Sequence, residues 1–252
     1  MLHCARRECI HLIEQVPLLA GLEEHAHAEM AAAVKLRSVR RGAVLHAQGM
    51  PAHSILYLMS GQIKQAICSA SGHETVIELA FAGDMIGLAQ VFSDGPHTAS
   101  AETLEASTVV EIGRNGLERA MELDASLARR VVGALANHGA SLERDIASLK
   151  GHSSSKRALE FLHRYGRRME CSDGALSLDL PIPKQLMAAR IGLSPETLSR
   201  VFRDMVDSGL IEISGRKVTL TAHCRALMMS PQWAATAGDS WLEPQVQAKA
   251  SG

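Results

Sequence analysis

The stretch Pro183–Gly209, PKQLMAARIGLSPETLSRVFRDMVDSG, constrains the fold of this chain more than any other. It predicts a first helix from Pro183, suited to a first helical position, to about Ile191. Ala188 is small where two helices must cross closely. Gly192 then supplies the positive φ of a tight helix-to-helix turn, and Leu193 plugs the angle. Ser194 offers its hydroxyl as N-cap of a second helix that opens Pro195-Glu196-Thr197. Leu198, Val201, Phe202, Met205 and Val206 form its expected buried face. Small residue, glycine, apolar plug and capped helix in one register predict a helix-turn-helix. Two β-rich runs, Leu210–Ile213 and Lys217–Leu220, flank the turn Ser214-Gly215-Arg216 and predict a wing.

Groove geometry gives these residues a chemistry. The first turns of such a helix reach base edges in the major groove of a duplex. Arg200 can donate a bidentate pair to guanine, Glu196 can accept from cytosine N4, and Ser199 can contact a neighbouring base. Lys184, Gln185, Thr197, Arg203, Arg216 and Lys217 are candidates for backbone contacts, which fix register but carry no sequence information. The alternative is a plain helical hairpin in which Glu196 and Arg200 form an i,i+4 surface pair.

Charge supports the first reading. The net charge of −1 is uneven: residues 151–224 hold 11 Lys/Arg against 8 Asp/Glu, whereas residues 1–150 hold 13 against 17. The basic excess sits where phosphates would be met. Aromatic residues are only 3%, too few for the stacking platform of a single-strand binder. No P-loop, G-x-S-x-G or H-E-x-x-H motif points to an enzyme. Five scattered cysteines without a Cys-x-x-Cys pair, and no long apolar run, fit a reducing cytoplasm and no membrane association.

The rest of the chain reads as α+β. Residues 10–33 predict short helices. From Val34 short runs of β-formers alternate with glycine turns: Val34–Val39, Ala43–His46, Ile55–Met59, Gly61–Cys68, Thr75–Phe81, Met85–Gly87 and Thr108–Ile112. This spacing predicts an antiparallel roll over residues 1–114. A helix follows over 115–150. Its stripe Leu127, Val131, Leu135, His138, Leu142, Ile146, Leu149 repeats about every 3.67 residues, nearly parallel to the axis of a straight helix. The stripe can cover the chain's own roll or a second copy, and two half-sites one duplex turn apart favour the second copy. A helix over Lys156–Arg168 and an extended run Leu176–Leu180 complete a winged domain over 151–224. The tail 225–252 is expected to be disordered.

In this order of parts the chain resembles the cyclic-AMP receptor protein / fumarate-nitrate reduction regulator (CRP/FNR) superfamily. The resemblance covers about residues 10–224 and is most specific in IGLSPETLSRVFRDMVDSGLIEISGRKVTL, residues 191–220. Glu196, Ser199 and Arg200 match the E-x-x-S-R pattern of the fumarate-nitrate branch. The resemblance implies a homodimer on a TTGAT…ATCAA palindrome, an effector in the roll, and RNA polymerase as a partner. LPIPKQLMAARIGLSPET is similar to regulators of denitrification and nitric-oxide response.

The signal departs from two branches of the superfamily. Where cyclic-nucleotide members hold ribose and phosphate with Gly-Glu and Arg, this chain has Gly87-Leu88 through His97-Thr98. That loss argues against cyclic AMP. A four-thiolate iron–sulfur cluster would need more than Cys4 and Cys9, and Val110 stands where the roll cysteine belongs. The resemblance to regulators of denitrification and nitric-oxide response implies haem with nitric oxide as the effector, with His46, His53, His73, His97 and His138 among the available histidines. His25 and His27 are poorly spaced as a metal pair on a helix. A small-molecule sensor whose winged domain docks a protein is the competing function.

Overall fold

The computed structural model describes residues 11–169, 176–179, 182–230 and 233. The chain separates into two compact units, residues 1–141 and 142–252, and the expected α+β architecture is present.

In the first unit, helix α1 (Glu24–Ala33) leads into β1 (Val34–Val39), β2 (Val44–His46), β3 (Ser54–Ser60), β4 (Gln62–Cys68), β5 (Glu74–Phe81) and β6 (Met85–Ile86). A short α2 (Leu88–Phe92) precedes β7 (Ser100–Thr103) and β8 (Ser107–Gly113). They form two antiparallel four-stranded sheets, ordered β1-β8-β3-β6 and β2-β7-β4-β5. The seven expected strands are found within a residue or two at each end, and β7 is additional.

Period-two alternation explains why β3 reads as an unbroken apolar run and β8 as a mostly apolar one. Ile55, Tyr57, Val110 and Ile112 point to a core shared with Leu19, Met30 and Leu117. Their neighbours Leu56, Leu58 and Val109 point to a second core with Ile63, Ile86 and Ala101. Both faces of these strands are largely buried, and the charge within β8, Glu111, is half-buried and accepts from Arg37 Nη1 at 2.9 Å.

The helix expected over 115–150 is two helices, α3 (Arg114–Leu123) and α4 (Ala125–Gly151). Asp124 separates them: its carboxylate accepts from the backbone N–H of Ser126 at 2.8 Å and of Glu23 at 3.3 Å. Bonding to Ser126, above all to its side chain, holds the Asp124 carboxyl below the usual carboxylate range.

The second unit takes the end of α4 and adds α5 (Ser154–Tyr165), β9 (Arg167–Met169), β10 (Leu176–Asp179), α6 (Lys184–Arg190), α7 (Pro195–Asp207), β11 (Ile211–Ser214), β12 (Lys217–Leu220) and α8 (Ala222–Met228). One antiparallel sheet runs β11-β12-β10-β9. Leu159, Leu162, Leu178, Met187, Leu198, Phe202, Met205 and Val218 fill its core. The Ser153 hydroxyl caps α5, so the helix starts two residues earlier than expected and ends sooner. The expectation of disorder from residue 225 fails at its start. Thr221 caps α8, which runs through Met228, and the Trp233 carbonyl accepts Lys156 Nζ at 2.7 Å. The remainder of the tail lies outside the described residues.

Candidate nucleic-acid interface and effector region

The helix-turn-helix is α6 and α7. Pro183 is the N-cap of α6 rather than its first residue. Gly192 has φ +66°, its N–H donates to Ala189 O at 3.3 Å, and the Leu193 N–H reaches back to Ala188 O at 2.9 Å. These two reverse bonds satisfy carbonyls that a helix end leaves open, the Schellman arrangement. Helix α7 ends the same way. Gly209, φ +67°, donates to Val206 O at 3.0 Å and Leu210 to Met205 O at 2.9 Å. Between these turns, Ser194 Oγ accepts from the Thr197 N–H at 3.1 Å and fixes the first turn of α7.

Leu198, Val201, Phe202 and Met205 are buried, and Val206, expected with them, is 42% exposed. That residue lies past the edge of a stripe already complete at Met205. Glu196, Ser199, Arg200 and Arg203 are all exposed, and Thr197 is half-buried. No carboxylate among the described residues lies within ion-pair distance of Arg200, so the surface pair with Glu196 does not form. Bonds from its own backbone N–H and from Ser194 hold the Glu196 carboxyl below the usual range, which keeps it an acceptor at neutral pH. Ser199 Oγ donates to Pro195 O at 2.8 Å.

The backbone-contact candidates are placed around this helix. Lys184 and Gln185 are exposed at the start of α6, with Lys184 Nζ 5.3 Å from the centroid of Phe202. Arg216 and Lys217 are exposed at the tip of the hairpin, where Ser214 pairs with Lys217 around the two-residue turn Gly215-Arg216.

Sequence reasoning missed the residues that brace this motif. Arg157 on α5 donates from Nη1 to Ile191 O at 2.6 Å, capping the end of α6. Asp145 on α4 holds both Arg164, at 2.8 Å, and the buried Arg190. The partners are 19 to 45 residues apart, and nothing in local spacing announces them.

The four expected effector-pocket residues are neighbours: a Cβ at Gly87 would lie 3.5 Å from His97 Cε1. Gly87 precedes α2, and Leu88 is turned into the apolar core instead of lining a pocket. Thr98 is exposed and touches Gln90 at 3.4 Å. His97 is 6% exposed and stacked on His46, with ring centroids 3.6 Å apart and planes 7° apart. Burial, and then the neighbouring His97, pushes the His46 imidazole down to about 4. His97 is lowered by burial and by His53, so the stack is neutral at physiological pH. Val110 is fully buried on β8. Cys4 and Cys9 lie outside the described residues.

Ring nitrogens bind metal in the plane of the ring. Two parallel rings at this separation cannot both aim at one ion, and among the described residues no cluster of three His, Cys, Asp or Glu could hold one. His97 is 6% exposed, so its ring nitrogens face little open space in which a haem could be held.

The apolar stripe of α4 is divided. Leu127 and Val131 are buried in the core of their own roll, with Leu135 packed against it, which removes the first two from the expected interface. Periodicity shows that a face is apolar and not what covers it. Leu142, Ile146 and Leu149 on the same stripe are each more than 40% exposed, and His138 is half-buried. Among the described residues no helix is long and apolar enough to cross a membrane.

Residues 36–124 match the cyclic nucleotide-binding domain family, and residues 156–225 match the Crp-like helix-turn-helix domain family. The CRP-like cAMP-activated global transcriptional regulator of Mycobacterium tuberculosis is 22% identical over 214 residues, 83% of this chain and 94% of that protein. The transcriptional activator protein anr of Pseudomonas aeruginosa is 25% identical over 183 residues, 72% of this chain and 75% of its own. The structure of FixK2 from Bradyrhizobium japonicum shares the fold, with a TM-score of 0.68 at 22% identity, over 78% of this chain and 98% of FixK2. A nucleotide-binding-type roll, a connecting helix and a Crp-like winged domain, in that order, place the chain in the CRP/FNR family of DNA-binding transcription regulators.

Proposed function

We propose that the chain acts as a homodimer on a two-fold TTGAT…ATCAA-like site, gated by an effector in the roll. The observation that carries the base-reading part is the first half of α7. A capped helix turns Glu196, Ser199 and Arg200 outward, and among the described residues no carboxylate lies within ion-pair distance of the guanidinium. In this reading Arg200 grips guanine and the ionised Glu196 accepts from cytosine, while Lys184, Gln185, Thr197, Arg203, Arg216 and Lys217 hold phosphates. The uncovered Leu142, Ile146 and Leu149 supply the surface for a second copy, which two half-sites require. RNA polymerase is the partner expected for a regulator of this kind.

The test is a gel shift with Arg200→Ala. Loss of one bidentate pair is worth about 1–3 kcal/mol, roughly 5- to 150-fold, and should erase the preference for the palindrome over scrambled duplex. A variant that discriminates as well as its parent refutes the assignment. A salt titration separates the competing function. Phosphate contact predicts a steep fall in affinity with salt, and a protein-docking winged domain predicts no specific duplex binding.

For the effector, Leu88 inside the core stands against a ribose-binding carboxylate, and Val110 against a four-cysteine cluster. Haem with nitric oxide is supported by the sequence resemblance, and the structure singles out no histidine as its ligand. An absorption spectrum after reconstitution with haem decides it. A stoichiometric Soret band that shifts with the gas supports haem, and its absence removes it.

A further inference from the structure

Asp145 stands on α4 one position before Ile146, about 100° around the helix from the uncovered stripe that Leu142 and Ile146 share. Its two carboxylate oxygens go to different helices. Oδ1 accepts Arg164 Nη1 of α5 at 2.8 Å, and Oδ2 accepts Nη2 of Arg190, the last residue of α6. Arg190 is only 8% exposed and precedes Gly192, whose left-handed backbone turns the chain toward α7, by two residues. Helix α5 completes the frame: Glu160 accepts the Ser148 hydroxyl of α4 at 2.6 Å, and Arg157 caps α6 at Ile191. One turn of α4 thus carries both the surface proposed for the second copy and an anchor of the helix-turn-helix.

A buried ion pair contributes little net stability over an apolar pair of the same shape, and its best-attested use is to fix register. Apolar faces can slide, whereas a guanidinium bonded to a carboxylate holds distance and direction together. We infer that Asp145 is a positioning residue: through Arg190 it sets the pose of α7 about the two-fold axis and so selects the spacing between half-sites. The inference rests on the proposed homodimer on a two-fold site. Two reading helices one duplex turn apart stand about 34–36 Å from each other, and each added base pair moves one half-site by about 3.4 Å and turns it by roughly 35°. Rigidly held readers reject that change, and readers hung on a loosened α6 follow it. Base choice stays with Glu196, Ser199 and Arg200.

The test is a gel shift with the full chain on duplexes that vary the spacer between TTGAT and ATCAA in single base pairs, and on a duplex with one half-site. The parent is expected to bind its best spacer at least tenfold tighter than either neighbour. Asp145→Asn should narrow that ratio to threefold or less, with half-site affinity within twofold of the parent and the preference for TTGAT over scrambled sequence kept. A residue that only supports the fold would weaken every duplex alike and leave the ratio unchanged, which overturns the inference. Asp145→Leu with Arg190→Met removes both charges and covers the case in which the single variant fails to fold. It should melt at or above the parent and show the same narrowed ratio. The parent's ratio retained in this double variant overturns the inference, as does a shift to monomer in sedimentation, which would place Asp145 in the interface instead. A parent with no preference for TTGAT duplexes over scrambled DNA refutes the base-reading function, and this inference with it. A parent that prefers them equally at every spacing refutes the positioning role alone.

Discussion

Gly192 and Gly209 have nearly the same backbone and different surroundings, so Gly192→Ala and Gly209→Ala separate strain from crowding. Their φ values are +66° and +67°. A Cβ at Gly209 would have nothing within 4 Å, leaving only the left-handed penalty of about 1 kcal/mol. A Cβ at Gly192 would lie 3.3 Å from both Arg157 Nη1 and Leu149 Cδ2. Arg157 cannot yield freely, because the same Nη1 donates to Ile191 O at 2.6 Å. A hydrogen bond to a charged group contributes about 1.5–3 kcal/mol, and weakening it by half adds about 1 kcal/mol to the backbone penalty. Gly192→Ala should therefore cost about 2 kcal/mol and Gly209→Ala about 1. Urea unfolding of the full chain, with amide exchange over residues 184–220 to localise the loss, measures both. Equal losses, within about 0.5 kcal/mol, would show that Arg157 is not the brace assigned to it.

Three further outcomes follow from named contacts. The folded pKa of His46, about 4, is below its ordinary 6.5, so the unfolded chain binds the extra proton first as pH falls. Its stability contribution is complete above 6.5 and is lost as pH falls through about 4. Urea midpoints across that window should drop less steeply in His46→Gln, and an unchanged slope would refute this. Ending the chain after Ser230 deprives the buried Lys156 ammonium of the Trp233 carbonyl and the ring 5.3 Å away. It should destabilise the winged unit by about 1–3 kcal/mol in thermal melts, with a smaller effect for Trp233→Phe, which keeps the carbonyl. Leu142→Glu with Ile146→Glu should convert a sedimenting dimer into monomer and abolish palindrome binding; an unchanged mass would remove this stripe from the interface.

What could be read from the chain alone divides by the range of the interaction. The turn glycines, the Ser194 cap and the apolar period of α7 are local, and they place the helix-turn-helix to within a residue. Strand β7, Ser100–Thr103, carries little signal because Ser100, Ala101 and Glu102 are poor β-formers and Thr103 stands alone. The break before α4 rests on Asp124, whose capping role depends partly on Glu23 far up the chain. Stripe residues Leu127 and Leu142 look alike in sequence, and only the roll's approach to the first distinguishes them. The Arg157, Asp145 and Arg190 contacts join distant segments and leave no periodic trace. At the effector region the substitution of Leu88 was legible, whereas the stacking of His46 on His97 needed the fold.

Ser199 illustrates how a free protein can predispose a base preference. Its hydroxyl hydrogen is committed to the Pro195 carbonyl, which leaves oxygen lone pairs as the group presented to solvent. An exocyclic amino group, on adenine or cytosine, can be met with that internal bond intact. A bare acceptor such as guanine O6 or thymine O4 demands that the hydroxyl rotate away first. On the base-reading role proposed for Ser199, the rotamer held before any duplex arrives would tilt this position toward amino-bearing edges.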